Sequence, residues 1–291
     1  MRAYLDSFFK EFSYLPEDGA VLLDAYGRIA ADGESYAAWQ QALALYDSSY
    51  DCDYPQILRL ANVAAERLYL HAYTVELLIF LCLSKKAREY YRAKNIEDRI
   101  YHDTMLDLRY KLEECKLVKG VVGSFVAGWF IGFFNLTRFS FGRLQIGLKP
   151  FGREYARDGK VLTPESPVLD VHIPRTGTPL LPEACIESYR RAKAFYRAQV
   201  GEEAAFYCHS WLLYPENFRI LSPQSNTYRF MAQYDIIQSG INRNGEDLWR
   251  LFDTQEQHWA RLPADTSMRR AYVEHIRRGG KTGWGLGVFF L

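Results

Sequence analysis

The spacing of apolar residues changes near the middle of this 291-residue chain, and this change constrains the fold more than any other feature. Over residues 1–119 apolar side chains recur every three or four positions, which is the period of amphipathic helices. After Arg138 several short segments alternate between apolar and polar residues, which is the period of strands. The sequence therefore predicts an α+β protein, with an all-helical domain over residues 1–119 and a mixed α/β domain with a central twisted sheet over residues 120–291.

Proline and acidic residues mark one helix start in the first part. We expect a helix to begin at Pro16, because proline is tolerated in the first turn, where its missing N–H would have no partner. Glu17 and Asp18 follow it, where acidic side chains complement the helix dipole. Further helices are predicted over residues 34–46, 54–69, 73–94 and 96–117.

The second part has the pattern of strands interrupted by a few helices. Alternation predicts strands over residues 139–148, 168–173, 204–213, 234–241 and 284–291. Turns are predicted at Lys149-Pro150 and at Asp158-Gly159. Helical spacing predicts helices over residues 181–199, 225–231 and 266–278.

Composition and charge restrict the class of protein. A hydrophobic fraction of 48% with 24% charged residues is typical of globular chains and excludes a disordered one. The 36 basic and 35 acidic side chains give a net charge of +1. Because proteins that bind nucleic acids usually carry a basic excess gathered into a patch, we expect no nucleic-acid partner.

Cysteine and histidine spacing argues against disulfides and metal sites. The five cysteines are odd in number and contain no C-x-x-C pair, so we expect reduced thiols and no structural zinc. The histidines form neither an H-E-x-x-H motif nor an i, i+4 pair, so we expect no metal cofactor. Reduced thiols, together with charged residues among the first 15 positions that a signal peptide would not carry, predict a cytoplasmic protein.

Residues 120–137 form an uncharged segment that must be considered as a membrane span. The segment is at the lower limit of the length needed to cross a bilayer, and it contains four glycines and several polar side chains. We therefore predict a buried helix and turn at a domain junction, and no membrane span.

An ionisable pair lies within the predicted strand over residues 168–173. Alternation places Asp170 and His172 on the same face, opposite Leu169 and Val171. Because a histidine titrates near neutrality, His172 is a candidate general base, with Asp170 tuning it. A purely structural pairing of the two side chains is the alternative interpretation.

The segment after this strand has features of an anion-binding site. A short loop containing Gly177 leads into a helix that begins near Leu181, and backbone N–H groups at a helix start commonly hold phosphate. Arg175 is placed to add a charge-assisted contact. The same residues also suit an ordinary connection between a strand and a helix, and both interpretations stay open.

Residues of the next predicted strand and helix are weaker candidates. Trp211 and Asn226 are placed to line a ligand cleft, although Ser225 and Asn226 also suit a helix cap. Cys208 and His209 are neighbours on a predicted strand, so their side chains point to opposite faces and cannot form a nucleophile and base pair.

The strand, the loop and the segments that follow resemble a known protein family. The pattern is similar to that of a bacterial family of acyltransferases in which an N-terminal helical acyltransferase domain is joined to a GNAT-like C-terminal domain. The resemblance covers most of the chain and is most specific over residues 168–230. The residues that carry it are His172-Ile173-Pro174, Gly177, Leu180, Cys185, Ser188, Ala192, Phe195, Cys208, Ser210-Trp211-Leu212-Leu213, Pro215, Ser225-Asn226 and Phe230.

This resemblance implies a GNAT-like sheet whose two central parallel strands, residues 168–173 and 204–213, splay apart to admit acetyl-CoA or another acyl-CoA. The loop departs from the Q/R-x-x-G-x-G/A pattern of ordinary GNAT enzymes in its spacing, and Pro179 removes an N–H donor. The residues then expected to bind the donor are Ile173, Arg175, Thr176, Gly177, Thr178, Leu180, Trp211 and Asn226.

The resemblance also implies transfer of the acyl group to a small acceptor. An amine acceptor must lose a proton, for which His172 is the candidate base with Asp170 as its partner. The departing thiolate benefits from an acid, for which Tyr228 is the candidate and Tyr214 the alternative. Two other functions stay open: a catalytically inactive GNAT-like module that binds a ligand or partner, and an acyl hydrolase.

Overall fold

Residues 1–119 fold into helices, as the period of their apolar side chains predicts. The computed structural model describes residues 1–242 and 248–291 of the chain. Each predicted helix is present with ends within a few residues of the expected ones, and a first helix precedes them. The six helices of these 119 residues, all of which the structure describes, are α1 (Arg2–Glu11), α2 (Pro16–Ala31), α3 (Gly33–Ser48), α4 (Tyr54–Leu68), α5 (Ala72–Ala93) and α6 (Asp98–Lys119).

Local sequence explains where several of these helices begin and end. The carboxylates of Asp32 and Asp53 accept hydrogen bonds from the backbone N–H groups of Ser35 and Gln56, at 2.9 and 2.8 Å, and so cap α3 and α4. Helix α6 ends at Gly120, whose φ of +70° lies in the left-handed region that glycine adopts without strain.

Helix α5 forms the centre of the helical unit. The five consecutive residues Leu77 to Leu81 are all fully buried, so this helix is covered on every side. Helix α6 is fixed to it by the hydroxyl of Tyr101, which donates a hydrogen bond to the carbonyl oxygen of Ser84 at 2.9 Å. The core of this unit therefore surrounds α5.

The uncharged segment after Gly120 packs against the same helix. It forms a 3-10 helix (Ala127–Phe130) and a short helix α7 (Ile131–Phe134). The rings of Phe130 and Phe134 lie against that of Phe80, with centroid distances of 5.4 and 5.0 Å. Among the described residues, no helix combines the length and apolar character needed to cross a membrane.

The chain divides into two compact units. The first is Met1–Phe139 and the second is Ser140–Leu291, whereas the boundary expected from the sequence lies after residue 119. The difference is the segment after Gly120, whose phenylalanines belong to the core around α5.

The second unit has a sheet with helices around it, as predicted. The strands from Arg138 onward are β1 (Arg138–Ser140), β2 (Gln145–Pro150), β3 (Tyr155–Arg157), β4 (Lys160–Leu162), β5 (Pro167–His172), β6 (Ala205–Ser210), β7 (Asp235–Asn242) and β8 (Thr282–Phe290). The helices are α8 (Pro182–Phe195), α9 (Arg197–Val200), α10 (Asn217–Ile220), α11 (Asn226–Met231), α12 (Leu248–Phe252) and α13 (Ser267–Arg277).

The main sheet places β5 and β6 at its centre. Among the described residues its strand order is β1-β2-β5-β6-β8-β7, and β3 pairs with β4 as a separate hairpin that turns at Asp158 and Gly159 as predicted. Strands β5 and β6 run parallel, as the resemblance implies. The ladders β2–β5, β6–β8 and β7–β8 are antiparallel.

Apolar side chains cover both faces of this sheet. On one face Tyr189 of α8 packs against Phe206 and Phe289, with ring centroids 4.9 and 4.8 Å away, and its hydroxyl lies 3.0 Å from that of Tyr234. On the opposite face the hairpin and the strands share a second core. The buried residues of that core are Phe151, Leu162, Val168, Ala205, Tyr207, Leu286 and Val288.

The strand predicted over residues 139–148 is wrong in detail. It is two strands, β1 and β2, because the chain turns at Gly142, whose φ is +82°, and the N–H of Phe141 bonds to the carbonyl of Leu144 at 2.9 Å. The turn predicted at Lys149-Pro150 is also wrong, since β2 continues through both residues in register with β5.

The strand predicted over residues 204–213 is shorter than expected. Strand β6 ends at Ser210, whose Oγ accepts a hydrogen bond from the N–H of Leu212 at 3.2 Å and starts a 3-10 helix, Trp211–Leu213. The side-chain amide of Asn217 then donates hydrogen bonds to the carbonyl oxygens of Trp211 and Leu212, each at 3.0 Å.

The single helix predicted over residues 181–199 is two helices, α8 and α9, separated at Tyr196.

Candidate active site

The pairing between the central strands β5 and β6 ends before either strand ends. Their parallel ladder contains the residue pairs Leu169↔Phe206 and Asp170↔Tyr207. Beyond them β5 continues for two residues and β6 for three, and each stays paired with its outer neighbour, β2 or β8, to its last residue. Beyond this ladder the carboxyl ends of β5 and β6 pair only with their outer neighbours, and we call the region between these two ends the β5–β6 gap.

The ionisable pair predicted on β5 lies beside this gap. Asp170 and His172 share a face of the strand, as the alternation predicts, and Nε2 of His172 lies 3.3 Å from Oδ2 of Asp170. Their side chains are 18% and 26% exposed, so the pair is reachable from solvent yet partly shielded. Ile173, expected on this strand, lies just beyond its end.

A lysine on the neighbouring strand completes a three-residue cluster. Nζ of Lys149, on β2, lies 2.9 Å from the same Oδ2 of Asp170. Burial raises the pKa of Asp170, but the hydrogen bond from His172 and the charges of His172 and Lys149 outweigh it, so the pKa of this carboxyl lies below its ordinary value. Asp170 is therefore a carboxylate at neutral pH. The sequence does not point to Lys149, because Lys149-Pro150 predicts a turn and not a strand.

Residues of β6 border the gap from its other side. Lys149 Nζ sits 3.8 Å from the ring centroid of Tyr207. Two residues further on, exposed His209 packs edge-on against Trp284, with centroids 4.8 Å apart. Cys208 points to the opposite face and is fully buried, and burial raises the pKa of its thiol well above the ordinary value. Cys208 is thus unsuited to act as a thiolate nucleophile.

The loop after β5 is held from outside by an arginine that sequence reasoning missed. The guanidinium of Arg143 donates hydrogen bonds to the carbonyl oxygens of Pro174 and Pro179, at 3.0 and 3.4 Å. These carbonyls stand at the two ends of the predicted phosphate loop. Within it Gly177 has a φ of +73°, and a Cβ there would meet no atom within 4 Å. Gly177 therefore turns the chain and leaves its outer side open.

Two threonines flank this glycine. Their hydroxyl groups, on Thr176 and Thr178, lie 2.7 Å apart, and the N–H of Thr178 donates to Oγ1 of Thr176 at 3.3 Å. Leu180 is nearly buried after them, and Leu181 precedes α8 as its extended N-cap residue. Among the described residues no side chain caps α8 at Leu181, so the N–H groups of its first turn have no side-chain acceptor at the N-cap.

Arg175 forms an ion pair with another residue of the protein. Its guanidinium forms a bidentate ion pair with Asp253, with N–O distances of 2.8 and 3.0 Å. Arg269 approaches the same carboxylate at 2.6 Å and also pairs with Asp265. The loop is consequently tied to the region of α12 and α13.

The remaining predicted site residues lie on the segments after β6. Trp211 is half-buried in the 3-10 helix, with its ring 6.3 Å from that of Tyr272. Ser225 caps α11 by accepting the N–H of Tyr228 at 3.2 Å, which confirms the cap interpretation, and Asn226 is the first residue of that helix. The half-buried ring of Tyr228 packs edge-on against Phe218, 5.0 Å away. The structure thus brings Asp170 and His172 into contact, whereas Trp211, Asn226 and Tyr228 have other neighbours.

A cavity of about 540 Å³ lies along β7 rather than at the gap. Its lining residues are Pro215, Phe218, Tyr234, Ile236, Ile237, Gln238 and Ser239. Phe218 lines this cavity and also contacts Tyr228, the candidate acid.

Across the described residues, no cluster of three or more His, Cys, Asp or Glu side chains is arranged to hold a metal ion.

Solved structures with the same fold are acyltransferases. An acyltransferase in complex with decanoyl-CoA and teicoplanin is 21% identical, with a TM-score of 0.78 over 98% of this chain and 87% of that one. An acyltransferase in complex with CoA and 10C-teicoplanin is 20% identical, with a TM-score of 0.76 over 98% of this chain and 86% of that one. A search of curated proteins finds no match.

Family models match nearly the whole chain. Residues 3–136 match the N-acyltransferase N-terminal domain, and residues 138–289 match the GNAT-like C-terminal domain. The second match alone covers more than half of the sequence. The chain therefore belongs to the family of acyltransferases that join an N-acyltransferase N-terminal domain to a GNAT-like C-terminal domain.

Proposed function

We propose that this protein transfers an acyl group from an acyl-CoA to an amine of a small acceptor, and that the reaction takes place at the β5–β6 gap. The observation that carries the proposal is the early end of the pairing between these parallel strands, beside the pair Asp170 and His172. Proteins of the same fold hold decanoyl-CoA, CoA and teicoplanin. An acyl-CoA supplies an activated acyl group whose leaving group is a thiolate.

Residues around the gap suit the parts of such a donor. An extended arm fits between β5 and β6, where a ligand can add to the edge of a strand near Ile173. The diphosphate then reaches the loop from Arg175 to Leu180 and the first turn of α8, whose N–H groups and dipole favour an anion. Arg143 adds positive charge to this region while it fixes both ends of the loop.

His172 is proposed as the general base. An ammonium acceptor must lose a proton before its nitrogen can attack, and an imidazole accepts that proton near neutral pH. Asp170, held ionised, orients the ring through its contact with Nε2 at 3.3 Å and stabilises the imidazolium that forms. Asp170 therefore acts as a positioning residue.

Tyr228 is proposed to protonate the thiolate. It lies on α11, which follows β6, and its half-buried hydroxyphenyl group packs on Phe218 at the edge of the cavity along β7. Trp211, directly after β6, and Asn226, two residues before Tyr228, are proposed to contact the acyl-CoA donor. Tyr214, the alternative acid, is largely buried, and burial raises the pKa of its hydroxyl.

One observation favours a different function, a GNAT-like module that binds a ligand without catalysis. Arg175 is already paired with Asp253, and the N–H of Thr178 already bonds to Thr176. Two groups expected to meet the diphosphate thus have protein partners. On this alternative the loop holds a ligand other than a CoA thioester.

The decisive experiment measures thiol release from acetyl-, octanoyl- and decanoyl-CoA with and without a panel of small amines. We expect release that depends on the amine, with the acylated amine detected by mass spectrometry. His172→Ala should lower kcat about 10²- to 10⁴-fold while KM for the donor changes little.

The outcomes of this experiment separate the three functions. Release of thiol at the same rate without any amine would instead indicate a hydrolase. No release with any donor, together with an unchanged melting temperature in CoA, would contradict acyl transfer and favour the non-catalytic module. Full activity of His172→Ala would remove His172 as the base.

A further inference from the structure

Lys149 and His172 contact one and the same oxygen atom. Nζ of Lys149 lies 2.9 Å and Nε2 of His172 lies 3.3 Å from Oδ2 of Asp170. The two nitrogens are therefore at most about 6 Å apart, a distance at which their charges interact strongly. A single carboxylate oxygen thus lies between an ammonium and an imidazole.

The sheet places Lys149 in this position. In the β2–β5 ladder Gly147 is directly opposite Asp170, and Lys149 is two residues further along on the same face, opposite Val168. Because Gly147 has no side chain, the lysine stem is free to reach diagonally toward the carboxylate. The ring of Tyr207 lies 3.8 Å from Nζ, so the ammonium is held between a carboxylate and an aromatic face.

The elements packed against β5 carry further charges near His172, as does Arg143, which bonds to the carbonyl oxygen of Pro174 two residues after it. Strands β2 and β6 and helix α9 contact β5. Arg197 of α9 is paired with Glu202, and its side chain is 69% exposed. The titratable or charged groups on these elements are Lys149 of β2, Tyr207, Cys208 and His209 of β6, and Arg197 of α9. Among them Lys149 is the cation bonded to the carboxylate that contacts His172.

We propose that Lys149 is a positioning residue that limits protonation of His172, so that the imidazole is available as a base at neutral pH. Asp170 by itself would favour the imidazolium, because a carboxylate attracts the added charge. The ammonium of Lys149 opposes this in two ways: it competes for Oδ2, and it repels a second positive charge no more than about 6 Å away. This proposal rests on the proposed function at one point: Lys149 affects acyl transfer only if His172 is the base. Its effect on the protonation of His172 does not depend on that assignment.

The test compares the pH dependence of kcat/KM in the wild type with that of Lys149→Met and Lys149→Arg. Methionine keeps the length of the side chain and removes the charge, whereas arginine keeps the charge. In Lys149→Met the acid limb of the profile should move to higher pH by about 0.5 to 1 unit, from the Coulomb interaction at this distance. In Lys149→Arg the acid limb should stay near its wild-type position. If Lys149 had only a structural role, the position of the limb would not follow the charge of this side chain.

A second readout does not depend on activity. The pH titration of the His172 ring protons is followed by NMR in the ligand-free protein, and the resonance is assigned by its absence in His172→Ala among the six histidines. The midpoint should rise in Lys149→Met and not in Lys149→Arg. An unchanged or lower midpoint in Lys149→Met would overturn the proposal, and Lys149→Gln makes the same comparison if the methionine variant does not fold.

The two experiments separate failure of this inference from failure of the proposed function. If His172→Ala keeps full activity but the NMR midpoint still rises in Lys149→Met, the coupling is real and the catalytic assignment is wrong. If His172→Ala is inactive and neither the profile nor the midpoint moves in Lys149→Met, the base is correctly assigned and Lys149 does not tune it.

Discussion

Arg175 and Asp253 form a bidentate ion pair across 78 residues of sequence, with N–O distances of 2.8 and 3.0 Å. The pair joins the loop after β5 to the residue that follows α12. Asp253 also accepts a hydrogen bond from Arg269 of α13, at 2.6 Å. The geometry of the proposed diphosphate loop therefore depends on a carboxylate that lies far from it in the sequence.

Asp253→Asn should disturb this loop. Replacing a partly buried carboxylate that pairs with two arginines should lower the free energy of unfolding by about 1 to 3 kcal/mol, because Arg175 and Arg269 then keep uncompensated charge. KM for the acyl-CoA donor should rise more than kcat falls. Asp265→Asn is the control, since that partner of Arg269 is 64% exposed and should have little effect. Equal effects of the two substitutions would contradict this role.

Asp170→Asn should change how stability depends on pH. The pKa of Asp170 in the folded protein lies below its ordinary value of about 3.8, so the ionised carboxylate stabilises the fold above about pH 4. This contribution is lost as the pH falls through the folded pKa. The difference in melting temperature between wild type and Asp170→Asn should therefore be largest near neutrality and shrink below pH 4.

A matched substitution controls for the charge change. Asp158→Asn removes a carboxylate that is 90% exposed, and asparagine tolerates the left-handed φ of 50° at that turn. Its effect on the melting temperature should be small at every pH. A constant difference between wild type and Asp170→Asn from pH 7 to pH 3 would disprove the proposed contribution.

Cys208 should be dispensable for catalysis despite its place beside His209. Cys208→Ala should keep acyl transfer within a few-fold of wild type, because burial raises the pKa of the thiol and keeps it protonated. Alkylation of the native protein, followed by mass spectrometry, should label half-buried Cys52 before the four buried cysteines. Loss of transfer in a folded Cys208→Ala variant would support a thiol nucleophile instead.

Gly285→Ala should destabilise the second unit. Gly285 pairs with Ser210 at the end of β6, and a Cβ there would overlap the backbone carbonyl of Leu213 in the following 3-10 helix. We expect a loss of about 1 to 3 kcal/mol in the free energy of unfolding, measured by denaturant titration. Gly33→Ala is the control, because its Cβ meets no atom within 4 Å. A neutral Gly285→Ala would show that the 3-10 helix moves aside easily.

Part of the active site could be predicted from the sequence. The alternation of residues 168–172 puts Asp170 and His172 on one face, because the period of two is a local property of an extended chain. The sequence does not indicate the position of Lys149, because its proline neighbour predicts a turn. The antiparallel register of β2 and β5, which pairs Pro150 with Pro167, places both residues in a strand instead.

The sequence by itself determined the helical character of residues 1–119, the change to strands after Arg138, and which residues of β5 share a face. These features follow from contacts within a few residues, which the local pattern encodes. Only the tertiary structure decided that β6 ends at Ser210, that Arg143 holds the loop after β5, and that Asp253 pairs with Arg175. Such contacts depend on strand register and on packing between distant segments, so the same local sequence is compatible with many different partners.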